Sequence, residues 1–314
     1  MSPAARPLTV QETAALTRRV TLLSVATAAV LVAMKAVVWV MSGSVALLAS
    51  MADSALDLVA SLATFFAVRY AVVPPDAEHR FGHGKAEAFA SLLQAGLVFA
   101  SAALIGREAV ANLIRPRPLA QEGWALAVMV ASIVLTTGLL YAQTRVLRRT
   151  GSVAVSGDRA HYASDLASNL AALIGIAGAA WLGLAGLDAI AALVVAALLL
   201  WGAIGIFREA SGQLLDRELS PEARRSIVEL ITRDPKVIGV HQLRTRASGP
   251  FVHMQMHVDL DPQLSLEAAH EVLVAAEKRV LEAFPSADII MHADPRGRAE
   301  PHGGAFAETA RTSA

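Results

Sequence analysis

Six long stretches of mainly apolar residues cover the first two thirds of the chain. An α-helix needs roughly 20 such residues to cross a bilayer. The pattern predicts six spanning helices at about 20–41, 44–73, 86–114, 124–147, 159–182 and 187–207. Glycine-containing breaks at 42–44 and 183–186 indicate short hairpins between the first and second and between the fifth and sixth helices.

After residue 208 the pattern becomes that of a soluble domain. The segment "SPEARRSIVELITRD" predicts a helix, with Ser220 as N-cap and Pro221 as its first residue. The segments "VIGVHQLRTRA" and "FVHMQMHVDL" predict strands, and the second alternates an apolar with a largely polar face. A further amphipathic helix and the strand "ADIIMHAD" complete the order αββαβ.

The predicted fold class is therefore an α-helical membrane protein with six transmembrane helices and a C-terminal cytosolic α+β domain. We expect an N-terminal cytosolic tail at 1–19, a six-helix domain at 20–208, the α+β domain at 209–295 and a disordered tail at 296–314.

Composition supports the membrane assignment and narrows the chemistry. Hydrophobic residues make up 55% of the chain and charged residues only 17%, and the formal net charge is zero, which disfavours nucleic acid as a partner. There is no cysteine, so a metal would have to be bound by His, Asp or Glu.

Basic residues predict the orientation, because cytoplasmic loops of membrane proteins are rich in Lys and Arg. They flank the ends of the spans that share one side of the membrane, at Arg18, Arg19, Arg69, Arg80, Lys85, Arg145, Arg148, Arg149, Arg159, Arg208 and Arg217. The other side has little beyond Arg115 and Arg117, together with Trp39, Trp124 and Trp181 as an aromatic belt. Both termini are therefore expected in the cytoplasm.

Carboxylates inside the predicted spans form the main candidate site. Asp53 and Asp57 are four residues apart in the second span, and His161 and Asp165 repeat that spacing in the fifth. A buried charge costs about 2.5–3.5 kcal/mol on insertion scales, so such pairs need a reason. Four oxygen and nitrogen ligands suit tetrahedral Zn²⁺, and also Fe²⁺, Cd²⁺ or Mn²⁺.

The alternatives for these residues are interfacial helix ends and structural pairing with Arg or Lys. We expect no basic residue deep in any span, which disfavours pairing. Because metal binds deprotonated ligands, protons compete with it, and alternating access could exchange a divalent cation for protons. This mechanism is a hypothesis.

The sequence resembles the cation diffusion facilitator family, in particular its bacterial zinc, iron and cadmium efflux branch. The resemblance covers about 20–295 and depends on D-x-x-x-D in the second span with H-x-x-x-D in the fifth. It implies a homodimeric cation/proton antiporter of a bacterial inner membrane, with a metallochaperone-like cytosolic domain. It favours Zn²⁺ as the transported ion, with Fe²⁺ and Cd²⁺ as further candidates.

The loop "PPDAEHRFGHGKAEA" contains Asp76, His79 and His83, whose spacing could place all three on one metal. Solvated loop histidines are the alternative, and the resemblance favours a second metal site. The resemblance also pairs Lys85 with Asp216 in an interlock that stabilises the dimer. Ordinary positive-inside bias explains Lys85 equally well.

The C-terminal domain is rich in histidine. The resemblance implies a cytosolic two-metal site across the dimer interface, formed by His241, His257, His270, His292 and Asp294. His253 matches no ligand position of the family, and His302 lies in the predicted tail. A purely structural domain that holds the dimer together is the alternative.

Two other functions agree less well with the sequence. An intramembrane zinc protease usually needs a glutamate beside its ligands, as in H-E-x-x-H, and this motif is absent from the sequence. An enzyme is therefore not expected. A membrane-anchored metal sensor would bind metal through its C-terminal domain, but it would not need ligands in the second and fifth spans.

Overall fold

The computed structural model describes residues 6–42, 45–114, 123–182 and 187–297. Residues 43 and 44 of the first predicted hairpin break and all of the second, at 183–186, lie outside these ranges. So do most of the predicted C-terminal tail, Arg115, Arg117 and His302, and the side chains of Trp124 and Trp181. The described chain forms two compact units. The helical unit contains Leu8–Leu215 and Ser248–Pro250. The α+β unit contains Asp216–Ala247 and the described residues from Phe251 onward.

The helical unit contains six helices of 27 to 33 residues. They are α1 Val10–Ser42, α2 Val45–Ala71, α3 Ala86–Ile114, α4 Gly123–Thr150, α5 Val153–Leu182 and α6 Leu187–Leu214. Within the described part of the chain, five of these helices are long and apolar enough to cross a membrane, and α5 is the exception. Its first half includes Asp158, Arg159 and Asp165, which reduce its apolar character. The predicted helical membrane fold is confirmed.

Two helices begin earlier than predicted. A capping box starts α1: Oγ1 of Thr9 accepts the N–H of Glu12, and the Glu12 carboxylate accepts the N–H of Thr9. Helix α5 begins at Val153, six residues before the predicted start. There Glu87 of α3 accepts a 2.6 Å hydrogen bond from Oγ of Ser152, and a Cβ at Gly157 would lie 3.0 Å from Cα of Ser91.

The second unit has the predicted order αββαβ: α7 Pro221–Ile231, β1 Val237–Ser248, β2 Phe251–Leu260, α8 Leu266–Ala283 and β3 Ala287–Pro295. Ser220 caps α7 as predicted. The sheet order is β1-β2-β3, with β2 and β3 parallel. The apolar face of β2 packs with α7 and α8 to form one core, whose buried members include Ile227, Met254, Met256, Val258, Ala276 and Val280.

Candidate metal centres

Helices α2 and α5 bring three potential ligands together in the helical unit. The atom Nε2 of His161 lies 2.9 Å from Oδ1 of Asp57 and 3.7 Å from Oδ2 of Asp165. Their ligand atoms all lie within 4.8 Å of one another, and His161 is only 4% exposed. The i, i+4 spacing places His161 and Asp165 on the same face of α5. The packing of α2 beside α5 then brings Asp57 to them. The cluster has the charge and donor types that a divalent cation needs.

Asp53, the fourth predicted ligand, lies outside this group of three. It is exposed in the described chain, and the charges of Asp57, Lys35 and His161 act on it. The expectation that no basic residue lies deep in a span was wrong. Lys35 lies within α1, seven residues before its end, and Arg107 lies equally far inside α3. Each is a single cation, which gives no spacing signal in the sequence.

A polar cluster that the sequence analysis missed lies one helical turn from His161. The carboxylate of Asp158, 1% exposed, accepts hydrogen bonds from Oγ of Ser24 at 2.6 Å, Nε2 of Gln143 at 2.8 Å and Nε2 of Gln94 at 3.2 Å. These partners come from α1, α4 and α3, so one buried anion connects four helices around the cluster. Asp158 lies at the edge of the predicted fifth span and has no acidic or histidine partner four residues away, so the spacing pattern does not single it out.

The loop between α2 and α3 brings Asp76, His79 and His83 together, as their spacing predicts. Oδ2 of Asp76 lies 3.3 Å from Nε2 of His83, and Oδ1 lies 3.4 Å from Nδ1 of His79. The backbone N–H of His79 donates a 2.6 Å hydrogen bond to Oδ1 of Asp76, and that of Glu78 donates another at 2.9 Å. These two hydrogen bonds, chiefly that from His79, hold the pKa of Asp76 below its usual value.

The two predicted interlock residues each have a partner within the single chain. Nζ of Lys85 donates a 3.2 Å hydrogen bond to the carbonyl of Leu214 at the end of α6. Oδ2 of Asp216 lies 3.2 Å from Nη1 of Arg246 on β1. These contacts describe one protomer, and an interlock between two protomers stays a prediction.

In the α+β unit, Asp294 is the centre of a histidine cluster. Its Oδ2 lies 2.8 Å from Nδ1 of His257 and 3.2 Å from Nε2 of His241, and its Oδ1 lies 3.3 Å from Nε2 of His292. The parallel register places His257 beside His292. Nε2 of His241 is buried and makes no hydrogen bond of good geometry within the described chain, although it lies close to the Asp294 carboxylate.

Asp259 is a neighbour of this cluster that the sequence analysis did not identify. It pairs with Asp294 in the strand register, and its Oδ1 lies 3.5 Å from Nε2 of His241. His270 is exposed on α8 and lies outside the three-residue group found among the described residues. His253 lies beside Asp288 of β3, with 3.1 Å between Nδ1 and Oδ2, which gives it a cross-strand partner.

Comparison with known families and sequences gives consistent matches over most of the chain. Residues 21–215 match the cation efflux transmembrane domain, and residues 219–296 match the cation efflux protein cytoplasmic domain. The cation-efflux pump FieF of Salmonella choleraesuis is 39% identical over 280 residues, which is 89% of this chain and 93% of the pump. FieF of Salmonella enteritidis has the same identity and coverage.

Several solved structures are similar to about a quarter of the chain. A zinc form of the transporter CzrB is 28% identical, covers 27% of this chain and 98% of its own, and gives a TM-score of 0.25. The metal-bound C-terminal domain of the Thermotoga maritima transporter CzcD is also 28% identical, covers 25% of this chain and 93% of its own, and gives a TM-score of 0.24.

Proposed function

Because the chain belongs to the cation efflux family, we propose that it exports a divalent metal cation from the cytoplasm in exchange for protons by alternating access. Zn²⁺ is the first candidate, with Fe²⁺ and Cd²⁺ as further substrates. The family consists of transporters, so the chain is a multi-pass membrane transporter and not an enzyme.

One observation carries the proposal: Asp57, His161 and Asp165 converge inside a helical membrane unit that has few other buried charges. Intramembrane ionisable residues generally mark an ion pathway. We place Asp53 in the same transport site as the fourth ligand, recruited when a cation is present. A nitrogen ligand beside carboxylates favours Zn²⁺ over hard cations such as Mn²⁺ and Mg²⁺.

Protons enter the proposal through the ligands themselves. A cation binds only to neutral imidazole and ionised carboxylate, so binding displaces protons and protonation displaces the cation. A proton gradient can therefore drive cation release on the side away from the cytoplasm. We propose an inner-membrane location with both termini in the cytoplasm, and a homodimer in which Lys85 and Asp216 form an interlock.

A second candidate function is a metal sensor that binds through the C-terminal domain and transports nothing. The cluster of His241, His257 and Asp294 favours it, because this cluster is also suited to a cation. In the transport proposal the same residues, with His270 and His292, form a regulatory cytosolic site. Asp76, His79 and His83 form a third site, at the cytoplasmic end of α2.

Purified protein in proteoliposomes with an imposed pH gradient provides the test. We would measure Zn²⁺ and Fe²⁺ flux for the wild type, Asp57→Ala, Asp294→Ala and, as a surface control, Glu282→Ala. Transport predicts gradient-dependent flux that disappears in Asp57→Ala and persists in Glu282→Ala. If no ion moves, while zinc binding is abolished by Asp294→Ala and unaffected by Asp57→Ala, the sensor function replaces the transporter.

A further inference from the structure

The side chain of Lys35 extends from α1 to the helix that carries the acid pair. Its Nζ donates a 2.7 Å hydrogen bond to Oγ of Ser54 and a 3.1 Å hydrogen bond to the carbonyl of Ser50. Lys35 lies seven residues before the end of α1, which corresponds to about 10 Å of helix. A cation at this depth in an apolar helix is costly unless it interacts with polar or acidic groups.

The position of Ser54 explains why this cation matters. Ser54 is 2% exposed and lies between Asp53 and Asp57 in the sequence of α2. The two hydrogen bonds therefore hold the ammonium group beside the acid pair. The carboxylates of Asp53, Asp57 and Asp165 all act electrostatically on Lys35. Lys35 thus holds a basic group close to the acids of the proposed transport site.

We propose that Lys35 is a tethered counter-cation of the transport site, which lowers the site's affinity for divalent cations and thereby speeds their release. The inference depends on the proposed transport function. Lys35 is not a metal ligand in this role, because an ammonium group has three N–H donors and no lone pair. It acts on the transported ion through charge alone.

The physical argument compares the empty and the loaded site. In the empty site three carboxylates repel one another, and the ammonium group offsets part of that repulsion. The ammonium group repels a divalent cation that enters, so the net attraction of the site for that cation is smaller. Lys35 is therefore attracted more strongly to the empty site, with three negative charges, than to the loaded site, in which the cation cancels two of them. This difference weakens binding, and a transporter has to release its ion in every cycle.

The size of the effect follows from known charge interactions. An opposite charge within about 4–6 Å changes the proton affinity of a carboxylate by about one to three orders of magnitude. Buried pairs are screened by salt much less than surface pairs. We therefore expect removal of the charge to tighten cation binding on the order of tenfold.

A purely structural role for Lys35 predicts the opposite sign. If the hydrogen bonds to Ser54 and Ser50 only hold α1 against α2, their loss would distort the acid pair and weaken cation binding. The sign of the affinity change therefore distinguishes the two roles. Lys35→Met removes charge and hydrogen bonds, Lys35→Gln removes the charge but keeps a donor, and Lys35→Arg keeps the charge.

The test uses full-length protein in nanodiscs with Asp76→Ala and Asp294→Ala in the background, so that zinc binding reports on the transport site. The same Lys35 variants, without that background, are assayed for zinc flux in proteoliposomes. We expect Lys35→Met and Lys35→Gln to bind Zn²⁺ about tenfold more tightly, with lower KM and lower maximal flux. Lys35→Arg should stay within about threefold of the wild type.

Weaker or unchanged zinc binding in both neutral variants would overturn the proposal. So would a Lys35→Gln variant that behaves like the wild type while Lys35→Met loses affinity, because this pattern assigns the effect to the hydrogen bonds. Size-exclusion elution at the wild-type volume confirms that each variant is folded. If the wild type transports no cation at all, the transport function itself fails, a result visible before any Lys35 variant is compared.

Discussion

Nε2 of His161 lies 2.9 Å from Oδ1 of Asp57, so a nitrogen ligand from α5 and an oxygen ligand from α2 lie at hydrogen-bonding distance. Neither side chain could reach the other if the two helices were rotated by half a turn. The mixed donor set is therefore a consequence of how α2 and α5 pack. In the transport site proposed above, this one contact connects helix packing with ion selectivity, because the donor types set which cation is favoured.

Replacing the nitrogen donor should change ion preference. In His161→Asp all candidate ligands of the transport site are carboxylates, which favour hard cations such as Mn²⁺. We expect zinc flux to fall at least about tenfold and the ratio of manganese to zinc flux to rise. Parallel flux assays with each ion in proteoliposomes measure this ratio. An unchanged ratio would show that His161 does not contact the transported ion.

The buried Asp158 is predicted to be a major stabilising residue of the helical unit. Its removal leaves Ser24, Gln94 and Gln143 with fewer acceptors in a buried environment. A lost acceptor costs about 1–3 kcal/mol, and more when the acceptor is charged. Asp158→Ala should therefore lower the free energy of unfolding by about 3 kcal/mol and the melting temperature by about 6–12 °C.

Thermal denaturation in detergent provides the measurement for Asp158. Asp158→Asn keeps one oxygen acceptor and should lie between Asp158→Ala and the wild type. Glu282→Ala, at an exposed position near the end of α8, is the surface control and should melt within about 1 °C of the wild type. Equal melting temperatures for Asp158→Ala and Glu282→Ala would contradict a stabilising role.

The helices and strands could be predicted because each is indicated by the pattern of apolar and polar residues within its own segment. Long, mainly apolar segments indicate the helices, and the alternation in β2 identifies Met254, Met256 and Val258 as core. The i, i+4 spacing placed His161 and Asp165 on one helix face. Thr9 and Glu12 also have the spacing of a capping box, and this capping box accounts for the early start of α1.

Other features depend on contacts between distant residues, which no local pattern reveals. The first turns of α5 are held by Glu87 and by the close approach of Gly157 to Ser91, so that Asp158 falls inside a helix. Lys35 of α1 donates a hydrogen bond to Ser54 of α2. A single charged residue carries no spacing signal, and its function becomes visible only through its partners.

The loop site leads to a prediction about pH. The hydrogen bond from the N–H of His79 lowers the pKa of Asp76, so the carboxylate is already ionised near neutral pH and becomes protonated only well into the acid range. Asp76→Asn therefore removes a charge that is constant between about pH 6 and 8. We expect zinc binding at the loop site to weaken by the same factor throughout this range.

Zinc titration at several pH values, in an Asp57→Ala, Asp294→Ala background, measures this factor for the loop site. The wild-type loop and Asp76→Asn should give parallel curves of affinity against pH. His79→Ala is the comparison that removes a ligand instead of the fixed charge. Curves for Asp76→Asn and the wild-type loop that converge below about pH 7 would show that Asp76 itself titrates there, against its lowered pKa.

Asp259 is predicted to strengthen the cytosolic metal site. Its Oδ1 lies 3.5 Å from Nε2 of His241, on the side of β2 that also bears His257. A carboxylate this close attracts a cation bound by the histidines even without direct coordination. We expect Asp259→Asn to weaken zinc binding by this site about tenfold and Asp261→Asn, at an exposed position just beyond β2, to leave it unchanged.

Calorimetric titration in an Asp57→Ala, Asp76→Ala background isolates the cytosolic site. Equal affinities for the two Asn variants would exclude Asp259 from a role in cation binding.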